Sequence, residues 1–290
     1  MSKKLLPIIS IGLLSVALVA CNGKKETAPA TPAPTDAAAL SAPAPDKLPF
    51  DYPSVKADVK VGDTVLAPSG ESLANSLKNT SSTSYIYYNG TVTEPGDKAT
   101  KVKDATGSEA LIPNALIIPL KSGESAKAGD IVLTWWQSGS GMERAMVIDG
   151  GATPKVNYLD GLSPITTEAL KADSFTVLSS DWQVGTTVAC KDGSSFDSVI
   201  LVNVAGDKVL TNGWAGSMKV FAKSDCRPVP VKTSVKVGDT VYVAPYGGFE
   251  KATVSSVDAA NGKFKAKYDF AGESTEDSFS FGSVLMAMPS

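Results

Sequence analysis

The chain has 290 residues, of which 43% are hydrophobic, a formal charge of −3 and no histidine. That hydrophobic fraction supports packed domains and rules out disorder throughout, while the mild acidity gives no field for holding nucleic acid or an anionic membrane surface. The missing histidine excludes a Ser-His-Asp triad, a Cys-His dyad, an HExxH zinc site and a histidine pH switch.

The first residues read as an address. Lys3 and Lys4 precede an apolar run over residues 5–17, too short for a comfortable membrane span of about 20 residues. Leu18-Val19-Ala20-Cys21 follows. This segment resembles a bacterial lipoprotein signal, with a lipobox of Leu, a small residue, Ala or Gly, then Cys. The resemblance implies cleavage before Cys21, which becomes the lipid-bearing N-terminus. Asn22, rather than Asp, implies sorting to the outer membrane. Loss of the two leader lysines takes the charge from −3 to −5. A single acyl chain anchors only marginally, at about 0.8 kcal/mol per buried methylene, whereas a triacylated cysteine of the kind the resemblance implies holds firmly.

Residues 21–57 form the predicted tether. Thr27-Ala28-Pro29-Ala30 and Ser41-Ala42-Pro43-Ala44-Pro45 typify it. With almost no bulky apolar residue it builds no core, and its prolines favour extended polyproline II at about 3.1 Å per residue.

The remainder repeats. Val61-Gly62-Asp63-Thr64-Val65 returns as Ala128-Gly129-Asp130-Ile131-Val132, Val184-Gly185-Thr186-Thr187-Val188 and Val237-Gly238-Asp239-Thr240-Val241. A second anchor is a bulky residue, a small one and a branched one: Tyr87, Gly90, Val92; Met142, Ala145, Val147; Phe196, Val199, Leu201; Phe249, Ala252, Val254. The third unit departs from it at Val199. A third anchor is Lys101-Val102, Lys155-Val156, Lys208-Val209 and Lys265-Ala266, and an apolar run closes each unit. Period-two alternation between Gly, Asp and Asn turns predicts four or five short strands per unit, with helical periodicity only weakly near residues 166–171. Ala260-Asn261-Gly262 is a strong hairpin signal. Asp63, Asp130 and Asp239 are read as turn-forming carboxylates that bond backbone amides.

On Val237-Gly238-Asp239, Phe249-Glu250-Lys251-Ala252-Thr253-Val254 and Lys265-Ala266-Lys267-Tyr268-Asp269, the last unit resembles a Tudor or agenet module of the SH3-like barrel type. Tyr158-Leu159-Asp160-Gly161 in the second unit is similar to that family's aromatic-x-Asp-Gly strand ending. The resemblance spans residues 58–290 and is weakest in the first unit, which carries a polar insertion over 69–84. It implies an all-β chain of four tandem five-stranded SH3-like, Tudor-like barrels at 58–121, 122–179, 180–230 and 231–290, behind the signal at 1–20 and the tether. It also implies binding of partners through aromatic cages or peptide grooves.

Cys190 and Cys226 lie in the third unit with 35 residues between them. Export places them in an oxidising compartment, and first and last strands neighbour each other in such barrels, so a disulfide is expected. Candidate binding residues are Trp135, Trp136, Tyr158 and Asp160 in the second unit, Trp214 in the third, and Tyr242, Tyr246, Tyr268 and Asp269 in the fourth, with Phe270 beside them. Aromatic rings near a carboxylate hold cations, stack sugars or take proline-rich peptides; they also fill cores and inter-barrel contacts, and the sequence leaves these open. No phosphate loop, nucleophile elbow, SxxK pair or calcium loop is present. Ser138-Gly139-Ser140-Gly141 reads as a hairpin and Glu273, Glu276 and Asp277 as a solvated edge.

The expectation is a non-enzymatic envelope lipoprotein, held to the membrane by its lipid, that binds an envelope protein or glycan or serves as a scaffold. Surface adhesion to a host factor is the alternative, and carboxylate-only catalysis comes third. Neither nucleic acid, metal nor any cofactor beyond the lipid on Cys21 is expected.

Overall fold

Each unit begins on a turn that only glycine adopts cheaply. Gly62, Gly129, Gly185 and Gly238 sit at φ +92°, +84°, +92° and +90°, where a Cβ is penalised. Their amides donate to the carbonyls of Val92, Val147, Leu201 and Val254 at 2.7–2.9 Å. In three units the next carboxylate closes the turn: Asp63 accepts from the Lys60 amide, Asp130 from that of Lys127 and Asp239 from that of Lys236, at 2.9, 2.9 and 2.8 Å. The third unit reverses the polarity, its Thr186 hydroxyl donating to the Gln183 carbonyl at 2.7 Å.

A computed structural model describes residues 48–78, 83–160 and 167–289. The signal, Cys21 and the tether up to residue 47 lie outside the described residues. The first unit comprises β1 (Thr64–Pro68), helix α1 (Gly70–Lys78), β2 (Tyr87–Glu94), β3 (Ala99–Asp104), β4 (Glu109–Pro113) and β5 (Ile118–Pro119). The second holds β6 (Ile131–Trp135), β7 (Met142–Asp149), β8 (Lys155–Tyr158), β9 (Thr167–Ala169) and β10 (Thr176–Leu178). The third holds β11 (Thr187–Asp192), β12 (Ser195–Ala205), β13 (Lys208–Asn212), β14 (Met218–Ala222) and β15 (Cys226–Pro228), and the fourth β16 (Thr240–Val243), β17 (Glu250–Asp258), β18 (Lys263–Phe270) and β19 (Glu273–Ser280). The described residues are all-β apart from α1 and short turns of 3-10 helix.

One antiparallel topology recurs. The sheet orders are β4-β3-β2-β1-β5, β10-β6-β7-β8-β9 and β14-β13-β12-β11-β15, a meander whose last strand returns beside its first. The fourth sheet, β16-β17-β18-β19, has four strands rather than five; its closing segment pairs only through the Tyr242–Leu285 bridge. In every unit the second strand carries a bulge immediately after the turn-bonded residue: Val92, Val147, Leu201 or Val254. A bulge bends and twists its strand, which curls each small sheet around its own core. The first-strand valines Val65, Val132, Val188 and Val241 are fully buried and face Gly90, Ala145, Val199 and Ala252. A Cβ on Gly90 would lie 2.4 Å from a Val102 methyl, so the first unit has no room for a larger residue there.

Some sequence expectations shift. In the third unit Thr211, not Val209, stands opposite Leu201 as Val102 does opposite Val92, so the lysine anchor slips by two residues. The insertion after β1 contains α1, started by the Ser69 hydroxyl accepting from the Ser72 amide at 3.1 Å and seated through Leu73. Nine mostly polar residues gave no periodic signal. Of residues 166–171, where helical periodicity is weak, Thr167–Ala169 form β9 and residue 166 lies outside the described residues. Packed chain also begins earlier than residue 58: Tyr52 is buried and donates to the Asn203 side chain at 3.0 Å, while Asp51 pairs with Lys208 at 2.6 Å.

The described residues form four small antiparallel sheets in a ring, a propeller-like arrangement. Contacts run in the order one, two, four, three. Units one and three pair through Ser84–Ser217, units three and four through Asp197–Gly248, and units two and four through Asn157 and Asn261 at 2.5 Å. Units one and two share a core in which Ile131, Leu133, Trp135 and Leu178 meet Leu66, Ile118 and Leu120, with Val202, Leu210 and Met218 of unit three joining it. Strand β6 is buried on both faces. Val132 points into its own unit while Ile131, Leu133 and Trp135 point into the shared core.

Cys190 on β11 and Cys226 on β15 are directly paired and disulfide-bonded, as the compartment argument expects. Closing a loop of this length contributes roughly 3–4 kcal/mol by loop-closure entropy. Thiol reduction, or the Cys190→Ala/Cys226→Ala pair of substitutions, is expected to lower unfolding free energy by about that amount. Denaturant titration with and without reductant measures it.

Candidate functional site

The predicted aromatic set divides by burial. Trp135 is only 7% exposed and belongs to the shared core, not to an open surface. Tyr158 fills the second unit's core, its hydroxyl donating to Glu168 at 2.8 Å and accepting from the Gln137 amide at 3.0 Å. Burial pushes this phenol well above its usual range. Tyr268 fills the fourth unit's core and donates to Asp277 at 2.6 Å. Tyr242 is half-buried in the seam between units three and four, against Ala189, Val229 and Leu285. Asp160 is held by Arg144. Asp269 is exposed on β18, opposite Ser274. Trp136 is exposed and rests on its own hairpin, so close to Gly139 that a Cβ there would meet the indole ring.

Trp214 and Tyr246 remain, and the structure brings them together. Both line a cleft of about 220 Å³ between units three and four. Trp214 is 64% and Tyr246 53% exposed. Tyr246 packs on the outward-facing Phe270, ring centroids 4.7 Å apart. Asp197, Lys219, Ser198 and Ser217 line the same cleft. Lys219 Nζ donates to Asp192 Oδ2 at 2.5 Å and Asp197 Oδ2 at 2.9 Å. Hydrogen bonding to that ammonium holds the Asp192 carboxyl below the usual carboxylate range, and the two carboxylates raise the Lys219 ammonium.

The exposed indole stands on a fixed loop. Gly213-Trp214-Ala215-Gly216 joins β13 to β14, and Ala215 sits at φ 54°, ψ 27°, a left-handed conformation costing about 1–2 kcal/mol without glycine. Gly216 approaches unit one so closely that a Cβ would lie 2.7 Å from the Tyr85 carbonyl oxygen. The Tyr85 amide donates to the Gly216 carbonyl at 2.8 Å, and the Asn212 side-chain amide donates to both the Tyr85 and Gly216 carbonyls at 2.9 and 3.0 Å. From unit four, a Cβ on Gly247 would touch the Trp214 Cβ at 3.1 Å. The Ser198 amide donates to the Gly247 carbonyl at 2.7 Å and the Phe249 amide to the Phe196 carbonyl at 3.0 Å. Two neighbouring units therefore hold an apolar side chain out in water, an arrangement that packing alone does not call for.

Sequence reasoning missed Asp197 and Lys219. They are 22 residues apart on strands that do not pair, and only the curl of the sheet brings β14 over the start of β12. A larger cleft, about 540 Å³, lies where residues 48–55 cross unit one; the crossing segment itself forms much of its wall, with Lys98, Pro113 and Ala115 opposite. Among the described residues no group of three or more Cys, Asp or Glu is placed to hold a metal ion, and no helix is long and apolar enough to cross a membrane.

A second polar centre joins units two, three and four. Arg144, 5% exposed, donates from Nε to Asp160 Oδ2 at 2.9 Å, from Nη2 to Asp160 Oδ1 at 2.5 Å, and from Nη1 to the Thr187 hydroxyl at 2.7 Å and the Gly282 carbonyl at 2.8 Å. Beside it, burial and then repulsion from Asp160 push the Glu143 carboxyl up to about 8, against the pull of Arg144 and Lys263. Its folded value exceeds its unfolded one, so this stabilisation is complete below the ordinary value of 4.5 and is lost as pH rises through about 8. Over that interval the wild type should lose up to about 1.4 kcal/mol per pH unit relative to Glu143→Gln. Urea denaturation of both proteins across the range reads the difference in slope.

Comparison with known protein families and with curated proteins found no match to this chain.

Proposed function

We propose that this protein is a non-enzymatic binding protein of the bacterial envelope, lipid-anchored through Cys21, whose four units are SH3-like barrels and whose ligand site is the cleft between units three and four. The exposed Trp214, on a loop whose backbone a neighbouring unit holds and which lines the cleft together with Tyr246, carries the reading, because aromatic anchors dominate binding surfaces.

Two further observations support it. In the first three units a fifth strand returns beside the first, the neighbour relation that SH3-like barrels share, which supports the barrel reading. Lys219 on β14 also reaches Asp192 on β11, three strands away in the sheet order. In a flat sheet those strands lie about 14 Å apart, beyond a lysine's reach, so the sheet curls nearly onto itself. The Leu18-Val19-Ala20-Cys21 sequence supports the anchor, and the mature chain would hang from it on the Pro/Ala tether.

Metabolic labelling with a clickable palmitate analogue should mark the wild-type protein and not Cys21→Ala; labelling that survives this substitution refutes the anchor. For the cleft, purified protein without its leader and with Cys21→Ala, which carries no lipid, is mixed with isolated cell envelopes and sedimented. In that background Trp214→Ala/Tyr246→Ala should sediment about tenfold less than the protein with an intact cleft, while Trp136→Ala sediments equally. Undiminished sedimentation of the double variant would move the binding surface elsewhere.

A further inference from the structure

We infer that the cleft between units three and four binds one pyranose ring of an uncharged linear glycan. The inference rests on the cleft being the binding site proposed above, and names its ligand class.

The size of the cleft bears on this first. At about 220 Å³ it falls below the roughly 300–1,000 Å³ of pockets that enclose drug-sized molecules. It accommodates a single ring or side chain of a longer ligand. Its chemistry is two-faced. Its aromatic lining is Trp214 and Tyr246, both largely exposed. A pyranose presents axial C–H groups on its faces, and these pack on an aromatic surface.

Its polar lining is a locked donor–acceptor pair. Lys219 and Asp197 stand 2.9 Å apart, and Asp192 holds the same ammonium at 2.5 Å. Each sugar hydroxyl both donates and accepts, and vicinal hydroxyls lie close enough together to engage adjacent donor and acceptor groups. A pair already held by its own ion bonds needs no ordering when the ligand arrives, which lowers the cost of binding. The Ser198 and Ser217 residues extend the polar lining.

Charged ligands fit worse. An anion faces the Asp197 carboxylate, and a cation faces the Lys219 ammonium already paired with Asp197 and Asp192. An apolar peptide side chain would stack on Trp214 but strip water from Asp197 and Lys219 without replacing its hydrogen bonds, a net cost. A neutral ring with an apolar face and polar edges satisfies both linings together. One ring per cleft is weak binding, so a polymer gains from rebinding along its length and from several copies on one surface.

The test follows the Trp214 indole N–H resonance of ¹⁵N-labelled mature protein in two-dimensional NMR. The probes are tetramers of β-1,4-linked N-acetylglucosamine, β-1,4-linked glucose, α-1,4-linked glucose and β-1,4-linked mannose, and a proline-rich decapeptide as control. Saturable movement of that resonance and of the Lys219 amide by at least one tetramer is expected at millimolar concentration. Trp214→Ala should abolish the response at Lys219, and Trp214→Phe should retain it at about tenfold weaker affinity. Lys219→Met should weaken the sugar about tenfold with the Trp214 stack intact. Unchanged spectra elsewhere in each variant establish that the fold survives. If the peptide titrates the cleft and no tetramer does, the site stands and the pyranose assignment falls. If no probe moves these resonances, the pyranose assignment falls as well, and the envelope sedimentation above decides the site separately.

Discussion

The arrangement of the units depends on one buried cation. Arg144 leaves its own sheet and spends its guanidinium on three partners in three units: Asp160, Thr187 and the Gly282 carbonyl. Taking a guanidinium out of water costs several kcal/mol and is repaid only when its donors are satisfied. Here a two-pronged carboxylate and two neutral acceptors do so, in directions set by the planar fork. The requirement is geometric: unit three must present a hydroxyl and unit four a carbonyl at fixed positions. Hydrophobic burial between units is less demanding, since apolar faces slide. Arg144 thus supplies register where shared apolar surface supplies affinity.

The cleft inherits that register. Its walls belong to different units, the indole and the ion pair to unit three and Tyr246 to unit four. They meet through a short antiparallel seam at Ser198–Gly247 and Phe249–Phe196. Unit one contributes no wall, yet holds the Trp214 loop from behind through Tyr85. A displacement of unit four would open the cleft, and one of unit one would release the loop that carries the indole. The small sheets are individually too thin to carry a deep pocket, and the ring provides one at a junction.

The sequence showed the architecture within a unit better than the architecture between units. The Gly-Asp turns and the buried first-strand valines follow from local period-two patterning and spacing, whereas the disulfide is expected from export and from the neighbouring first and last strands that the barrel resemblance implies. Trp135 shows where such reasoning stops. Its alternation with Val132 and Thr134 marks a strand with two faces, but both faces are buried, because β6 lies between its own core and the one shared with unit one. Nothing local distinguishes an outward tryptophan that meets water from one that meets a neighbour. The contact order one, two, four, three is equally invisible, since consecutive copies need not be adjacent copies. Lys219 and Asp197 were illegible because their meeting depends on curl rather than on pairing.

The cross-link between Cys190 and Cys226 bears on how repeated units diverge. Unit three has lost the turn carboxylate, carries Val199 where the others have glycine or alanine, and has let its third anchor slip. Each change erodes the shared plan, and the covalent bond between its first and last strands offsets such losses without asking anything of the loops. That leaves the loops of this copy free to specialise. The same unit supplies Trp214, Lys219 and Asp197 to the cleft, so the copy that is stapled and departs furthest from the shared turn and strand register is also the one that carries most of the cleft's side chains.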